Sequence, residues 1–245
     1  MLKFLRPWAL VGALCAALSG TAGAATVTFE DVPAGLGSIY SSGDSFTSGS
    51  FRFDVTSMFL PPVPGGFDGQ VGDDSSVFAP PTNSTGQYYQ GYNDSGVTMV
   101  SNIVDKAFLR LDGFSFAFLP FVPGFYLAGD VPGALLVSYV TDGGATGVES
   151  FDFAPSDADG LFAFSTVSGA QLGALQGLTL RSVTFYACTR SDLTDPTSCS
   201  NPSDFGDAWF ALDNIVAVNI PEPISAALLL IGLAAAGTAR RRARA

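Results

Sequence analysis

The side chains that could carry out chemistry in this chain of 245 residues are mainly carboxylates, because it contains 22 Asp and Glu residues and no histidine. Without histidine there is no Ser-His-Asp or Cys-His nucleophile system, no imidazole metal ligand and no imidazole proton shuttle. Carboxylates alone can still hydrolyse glycosides as a pair of acids, and their oxygens bind hard cations such as calcium. Acid-base hydrolysis and oxygen-ligated cation binding therefore remain as candidate chemistries.

A second candidate is the segment from Gln87 to Asn93, in which three tyrosines stand among amide side chains. Tyrosine rings offer an apolar face for stacking on sugars, and hydroxyl and amide groups can hydrogen-bond to sugar hydroxyls. Tyr88, Tyr89 and Tyr92 are therefore predicted glycan contacts. The alternative interpretation is an ordinary loop whose rings are partly buried.

The elements that position these side chains are predicted to be β-strands. The chain has 28 Gly, 15 Pro and 21 Phe, and 13% of its residues are charged, a composition unsuited to long helices. Apolar residues alternate with polar ones in several segments, which are separated by Gly, Pro, Asn and Asp clusters. We predict an all-β fold, a β-sandwich of the jelly-roll type. The alternating segments lie at 51–55, 114–118, 135–140, 148–153, 178–187 and 210–218.

The N-terminus is typical of a secretory signal peptide. Lys3 and Arg6 precede a short apolar run from Trp8 to Leu18, and Ala22, Gly23 and Ala24 form a small-residue cleavage site. The run is too short for a retained transmembrane helix. We therefore predict a signal peptide over residues 1–24 and a β-sandwich cargo domain over residues 25–220.

The C-terminus has three parts in a fixed order. Pro221, Glu222 and Pro223 are followed by an uncharged segment over residues 224–239, and then by Arg240, Arg241, Arg242 and Arg244. As a helix, the uncharged segment would be about 24 Å long, which is short of a hydrocarbon core of about 30 Å. We predict a short transmembrane helix at residues 221–245 whose arginines act as a stop-transfer signal on the cytoplasmic side.

This order of Pro-Glu-Pro, apolar helix and arginine cluster resembles the PEP-CTERM protein-sorting signal. The resemblance implies recognition by exosortase, a membrane-embedded cysteine protease and transpeptidase of Gram-negative bacteria that make extracellular polysaccharide. It also implies a transient anchor in the inner membrane, processing near the sorting motif Pro221, Glu222 and Pro223, and delivery to the cell envelope or extracellular matrix.

An acidic pair at the two edges of the cargo domain resembles the calcium sites of many jelly-roll carbohydrate-binding modules. By position, the resemblance implies Glu30 and Asp213 as ligands of a structural calcium ion, with Asp31 a weaker candidate. Calcium takes six to eight oxygens, so backbone carbonyls would have to join them. The alternative is that Asp213 caps a bulge and Glu30 is solvated. No other cofactor is expected.

Charge and cysteine content limit the partners of the cargo domain. Residues 26–220 contain five basic and 21 acidic side chains, a net charge near −16, so nucleic acid and anionic lipid head groups should be repelled.

The two cysteines outside the signal peptide, Cys188 and Cys199, would pass through an oxidising compartment, and we predict that they form a disulfide.

Three functions fit these features. The leading prediction is a non-enzymatic exported envelope or extracellular-matrix protein. The second is a carbohydrate-binding module that retains exopolysaccharide, which would need an exposed row of aromatic rings on one sheet or at a loop rim. The third is a carboxylate-based glycoside hydrolase, which would need two carboxyl groups in a cleft, one with a raised pKa.

Overall fold

The computed structural model describes residues 23–33, 38–57, 66–92, 95–103, 106–190 and 208–221. Most of the predicted signal peptide and residues 222–245 lie outside these ranges. The described strands are β1 (Ala25–Val27), β2 (Ile39–Tyr40), β3 (Ser45–Ser48), β4 (Phe51–Ser57), β5 (Gly69–Gly72), β6 (Tyr88–Gly91), β7 (Ser95–Ser101), β8 (Phe108–Phe118), β9 (Gly133–Thr141), β10 (Thr146–Asp152), β11 (Ser165–Ser168), β12 (Leu180–Thr189) and β13 (Phe210–Ile220).

The strands form where apolar side chains alternate with polar ones. In β4, for example, Phe51, Phe53 and Val55 are buried while Arg52 is exposed, so one face of the strand packs on the core. Short 3₁₀ helices at Asp74–Ser76 and Gly169–Leu175 are the helical segments of the described chain. The prediction of an all-β fold is confirmed.

The strands pair antiparallel in two groups. The first group has the order β2-β5-β6-β13-β8, with β1 also on β13 and β11 also on β8. In the second group β10 pairs with β9, β9 with β12, β12 with β7, β7 with β4 and β4 with β3. A single residue pair, Leu109 with Leu180, joins β8 of the first group to β12 of the second.

The aromatic core lies between these two groups of strands. Phe114 of β8 packs its ring against Phe151 of β10 and Phe185 of β12, each with a centroid distance of 5.3 Å. At the other side of the core, Tyr89 of β6 stacks on Phe46 of β3 at 5.9 Å. Contacts of this kind between buried rings hold the two groups together through apolar burial.

In the sequence segment at 178–187 the alternation of apolar residues slips by one near Arg181, which predicts a bulge there, and β12 has a register shift between Leu180 and Ser182. Within the described residues, we find no helix with the length and apolar character needed to cross a membrane. The predicted transmembrane helix lies outside those residues, apart from Pro221.

Candidate functional site

The first and last strands bring the two carboxylates of the predicted calcium site to the same place. Val27 of β1 pairs with Ile215 of β13, so Glu30, just beyond β1, lies near Asp213. Burial raises the pKa of Asp213, and the negative charge of Glu30 adds to this rise. Two side chains from opposite ends of the cargo domain therefore share one electrostatic environment.

Asp213 is buried at a bulge in β13, since the pairing of β13 with β8 shifts register between Asp213 and Val216. Its side chain accepts hydrogen bonds from the backbone N–H of Asn214 at 2.7 Å and from Nδ2 of Asn214 at 2.9 Å. The residue is 4% exposed. The alternative expectation, that Asp213 caps a bulge, agrees with this geometry.

Two non-glycine residues beside the carboxylates have left-handed backbone conformations. Phe29, next to Glu30, has φ of 58°, and Asn214, next to Asp213, has φ of 49°. Such a conformation is a real cost for a bulky residue such as Phe, and it persists when the surrounding packing enforces it. The fold thus holds the backbone on both sides of this site in conformations that free chains seldom adopt.

The carboxylate of Glu30 rests on the loop that precedes β6. Its Oε1 accepts a hydrogen bond from the backbone N–H of Gln87 at 2.8 Å. Gly86, which has φ of 78°, lies directly beneath it, and a side chain at Gly86 would clash with Glu30 Oε1. This close approach requires glycine at position 86.

Burial raises the pKa of Asp213, the hydrogen bond from the backbone of Asn214 lowers it and the negative charge of Glu30 raises it, and the net pKa is about 7. The charge of Glu30 therefore disfavours ionisation of Asp213 near neutral pH. Either a proton on Asp213 or a cation between the two groups relieves this repulsion.

Asp31 belongs to a different contact. It accepts hydrogen bonds from Ser48 Oγ at 2.5 Å and from the backbone N–H of Gly49 at 2.7 Å, at the turn between β3 and β4. Although partial burial acts in the opposite direction, these bonds hold the pKa of Asp31 below its usual range. Both oxygens of Asp31 are thus engaged away from Asp213.

Glu30 and Asp213 supply part of the set of oxygen ligands that a cation needs. Within the ranges that the structure describes, no group of three or more His, Cys, Asp or Glu side chains is gathered as a metal site. A calcium ion held by two carboxylates would therefore need backbone carbonyls to complete its shell. The chemistry suits a structural ion rather than a catalytic one, because Asp213 is buried.

The prediction that three tyrosines contact a glycan is corrected by the structure. Tyr88 and Tyr89 lie in β6 and are fully buried, and Tyr92 is 3% exposed. Tyr89 faces the main core, while Tyr88 packs under Phe164 on the opposite face and donates a hydrogen bond to Asp74 Oδ1 at 3.2 Å. Burial raises the pKa of each phenol. These rings offer no face to a ligand.

A row of aromatic rings that sequence reasoning missed lies at the ends of β6, β8 and β13. Phe67 stacks on Tyr92 at 4.6 Å, Tyr92 contacts Trp209 edge-on at 4.7 Å, and Trp209 contacts Phe121 edge-on at 5.0 Å. Phe121 is 55% exposed. We call these four residues the aromatic row. The sequence feature that could have predicted this row is the presence of apolar residues in Pro-rich loops beside strands, where burial is not expected.

A shallow groove of about 190 Å³ lies on β9, β10 and β12. Its lining consists of hydroxyl, aromatic and small apolar side chains and includes no carboxylate: Ser138, Tyr139, Val140, Thr146, Gly147, Val148, Ser182 and Thr184. The groove therefore does not bring together the two carboxyl groups that glycoside hydrolysis requires.

The remaining predicted residues lie mostly beyond the described ranges. Cys188 is buried in β12, whereas Cys199 falls outside, so their pairing stays a prediction. Pro221 is exposed directly after β13, and the rest of the sorting motif and the four terminal arginines fall outside.

Comparisons with solved structures give distant likenesses. The Stig cyclase Fisc from Fischerella sp. TAU is 10% identical, with a TM-score of 0.39 over 81% of this chain and 99% of the cyclase. The CBM22-1–CBM22-2 tandem domain of Paenibacillus barcinonensis Xyn10C is 11% identical, with a TM-score of 0.28 over 84% of this chain and 51% of that one. CtCBM11 is 11% identical, with a TM-score of 0.27 over 84% of this chain and all of its own. These scores are too low to assign a shared fold.

No curated protein matches the chain significantly. At the C-terminus, residues 219–244 match the family model of the PEP-CTERM protein-sorting motif. The match includes Pro221, Glu222 and Pro223 and the arginine cluster, so the sequence-based prediction of this signal is confirmed. The chain therefore carries a PEP-CTERM sorting motif, which indicates an exported protein and is consistent with a substrate of exosortase.

Proposed function

We propose that the chain is a non-enzymatic exported protein of the cell envelope or extracellular matrix, held transiently in the inner membrane and processed by exosortase near Pro221, Glu222 and Pro223. The observation that carries this proposal is the sorting motif at residues 219–244. The acidic cargo domain adds support, because a net charge near −16 favours solubility and opposes binding to anionic lipid.

The position of the motif relative to the fold also supports processing. β13 ends at Ile220, which pairs with Phe108, and Pro221 follows as an exposed residue outside the ladder. A proline cannot donate a ladder hydrogen bond, so the sheet ends there. Cleavage near Pro-Glu-Pro would leave every described strand intact.

For the architecture of the cargo domain, we propose a jelly-roll-like β-sandwich. Its support is that the two groups of strands share a single residue pair, Leu109 with Leu180, while rings from both groups meet in the core. Two antiparallel sheets that pack face to face have this arrangement.

We also propose that a structural calcium ion binds between Glu30 and Asp213. The support is the negative charge of Glu30 beside the buried carboxyl group of Asp213, next to backbone at Phe29 and Asn214 that is held in rare conformations. A cation there would connect the first strand to the last, and would stabilise the closure of the domain.

A second candidate function is carbohydrate binding, favoured by the aromatic row. Exposed rings at a loop rim are the feature that this function needs, and Phe67 and Phe121 are exposed. Of the tyrosines predicted from the sequence, the row contains Tyr92, which is buried. The third candidate, a glycoside hydrolase, has no comparable support, because the carboxyl group with the raised pKa, Asp213, is buried.

Fractionation of the native host tests the leading proposal. Wild-type protein should be found outside the inner membrane, whereas a variant carrying Pro221→Ala and Glu222→Ala should stay in the inner-membrane fraction as the longer precursor. Pro123→Ala, in an exposed loop of the cargo domain, is the matched control and should be exported normally. Release of the double variant at the wild-type level would contradict processing at this motif.

A further inference from the structure

The aromatic row is held rigidly by the ends of three adjacent strands. Phe210 of β13 pairs with Phe118 of β8 and with Gly91 of β6, and these pairs place the neighbouring Trp209, the loop after β8 and Tyr92 side by side. The backbone N–H of Leu119 donates to the carbonyl of Trp209 at 3.1 Å. These backbone contacts place Trp209 and Tyr92 beside paired strands, and the ring contacts of the row extend from them to Phe67 and Phe121.

Exposure within the row is graded. Phe121 and Phe67 are 55% and 37% exposed, Trp209 is partly exposed, and Tyr92 is buried beneath them as a support. Beyond Phe121 the same loop exposes Phe125 and Leu127. Apolar rings that face solvent together mark an interaction surface.

The strand pairing places the row far from both chain ends. Ala25 pairs with Ala217 and Phe108 pairs with Ile220, so the N-terminal segment and the sorting motif both leave the domain at the Ile220 end of β13. The row lies at the Phe210 end, about 30 Å away at roughly 3.3 Å per strand residue. The row and Pro221, where the sorting motif begins, therefore lie at opposite ends of β13.

This placement and the charge of the domain narrow the choice of partner. A lipid surface and a membrane-embedded enzyme would meet the opposite end, and a second copy or an anionic polymer would meet a domain with net charge near −16. Arg190 is the basic residue described at the Phe210 end, and its side chain is 6% exposed and paired with Asp152. The charge of the domain therefore favours an uncharged ligand with apolar faces over an anionic polymer.

We propose that Phe67, Trp209 and Phe121 form a stacking platform for a neutral polysaccharide outside the cell. The C–H faces of pyranose rings pack on aromatic rings, and a row of several rings binds several consecutive sugars of one chain. This inference rests on the second proposed function, carbohydrate binding, and assigns it a site and a ligand class.

Affinity electrophoresis of the full-length protein in mild detergent tests the proposal, with gels containing dextran, hydroxyethylcellulose or galactomannan, and alginate as the anionic comparison. At least one neutral polysaccharide should retard the wild-type protein, and Phe121→Ala should weaken that binding by about tenfold. Phe78→Ala is the matched control, since Phe78 is 77% exposed and does not belong to the row. Trp209→Ala should act like Phe121→Ala, provided that its thermal unfolding midpoint stays near the wild-type value.

The outcomes separate the site from the function. If a neutral polysaccharide binds wild type and Phe121→Ala equally, the row is not the site, although carbohydrate binding stands. If neither the neutral polysaccharides nor alginate retards the protein, both the site and the carbohydrate-binding function are wrong, while the export proposal is unaffected. Retardation by alginate alone would overturn the assignment of a neutral ligand.

Discussion

Glu30, just after the first strand, raises the pKa of Asp213 in the last strand, so the two ends of the cargo domain are electrostatically coupled. The coupling arises because β1 pairs with β13 immediately beside the bulge that buries Asp213. Burial contributes more to the raised pKa than Glu30 does. Folding therefore opposes ionisation at this position.

The first prediction concerns pH in calcium-free buffer. The pKa of Asp213 is about 7 in the folded protein and about 3.9 in an unfolded chain, so the folded state binds this proton more tightly between those values. The stability that Asp213 contributes is therefore fully present below about pH 4 and is lost as pH rises to about 7. The loss is at most a few kcal/mol, at about 1.4 kcal/mol per pKa unit, and residual solvation reduces it.

Asp213→Asn isolates this effect. Other carboxylates, such as Asp31 with its lowered pKa, change stability in the opposite direction, so the difference between wild-type and variant denaturation curves is the relevant quantity. The free energy of unfolding of the wild-type protein minus that of Asp213→Asn should decrease as the pH rises from 4 to 7. Parallel pH profiles for the two proteins would show that Asp213 titrates normally.

The second prediction concerns calcium. At pH 7.5, calcium at about 100 times its dissociation constant should raise the unfolding midpoint of the wild-type protein by about 5–10 °C, because it binds the folded state selectively. Glu30→Gln should reduce this shift. Asp31→Asn is the matched control, since Asp31 is bound to Ser48 and Gly49 instead. If neither calcium nor a chelator changes the unfolding midpoint, the proposed calcium site is wrong.

The strands were largely predictable from the sequence, and the side-chain environments were not. Alternation at Phe114, Phe116 and Phe118 marked β8, and the slip near Arg181 marked the register shift in β12. These features are local, because the alternation of apolar and polar side chains that marks a strand can be seen among adjacent residues. The proximity of Glu30 and Asp213 was anticipated by a resemblance to the calcium sites of jelly-roll carbohydrate-binding modules, and not by any local pattern.

The tyrosines show why local patterns fail at β6. Tyr88 and Tyr89 point to opposite faces of the strand, and both are buried because Val77 and Phe164 cover the outer face beside Tyr88. Whether a loop folds back over a sheet depends on residues distant in sequence. The contacts of the aromatic row were hidden for the same reason, since Tyr92, Trp209 and Phe121 are distant in sequence.

The third prediction concerns a close backbone contact. Gly133 begins β9 opposite Thr189, and a Cβ atom there would clash with the backbone carbonyl of Cys188, which cannot move without distorting β12. Gly133→Ala should destabilise the protein by about 1–3 kcal/mol or more in urea denaturation. Gly143→Ala is the matched control, because its nearest neighbour is 3.9 Å away, and its change should stay within about 0.5 kcal/mol. Equal effects of the two substitutions would mean that the β9–β12 contact is looser than described.

The fourth prediction concerns Cys188 and Cys199. The mature exported protein should contain a disulfide between them, and its intact mass should be lower than that of the reduced protein by two hydrogen atoms. The disulfide would close the loop between Cys188 and Cys199, which stabilises a fold by about 3 kcal/mol in the chain-entropy model. Cys199→Ser should therefore lower the unfolding midpoint under oxidising conditions. Alkylation of both cysteines in the native, unreduced protein would contradict the pairing.

Mass spectrometry of the mature protein from the native host tests the central claim, that this chain is exported and processed at its sorting motif. The account predicts a mature C-terminus near Pro221, Glu222 and Pro223, without the apolar segment or the arginines. A mature protein that still ends in Arg240, Arg241, Arg242 and Arg244 would contradict it.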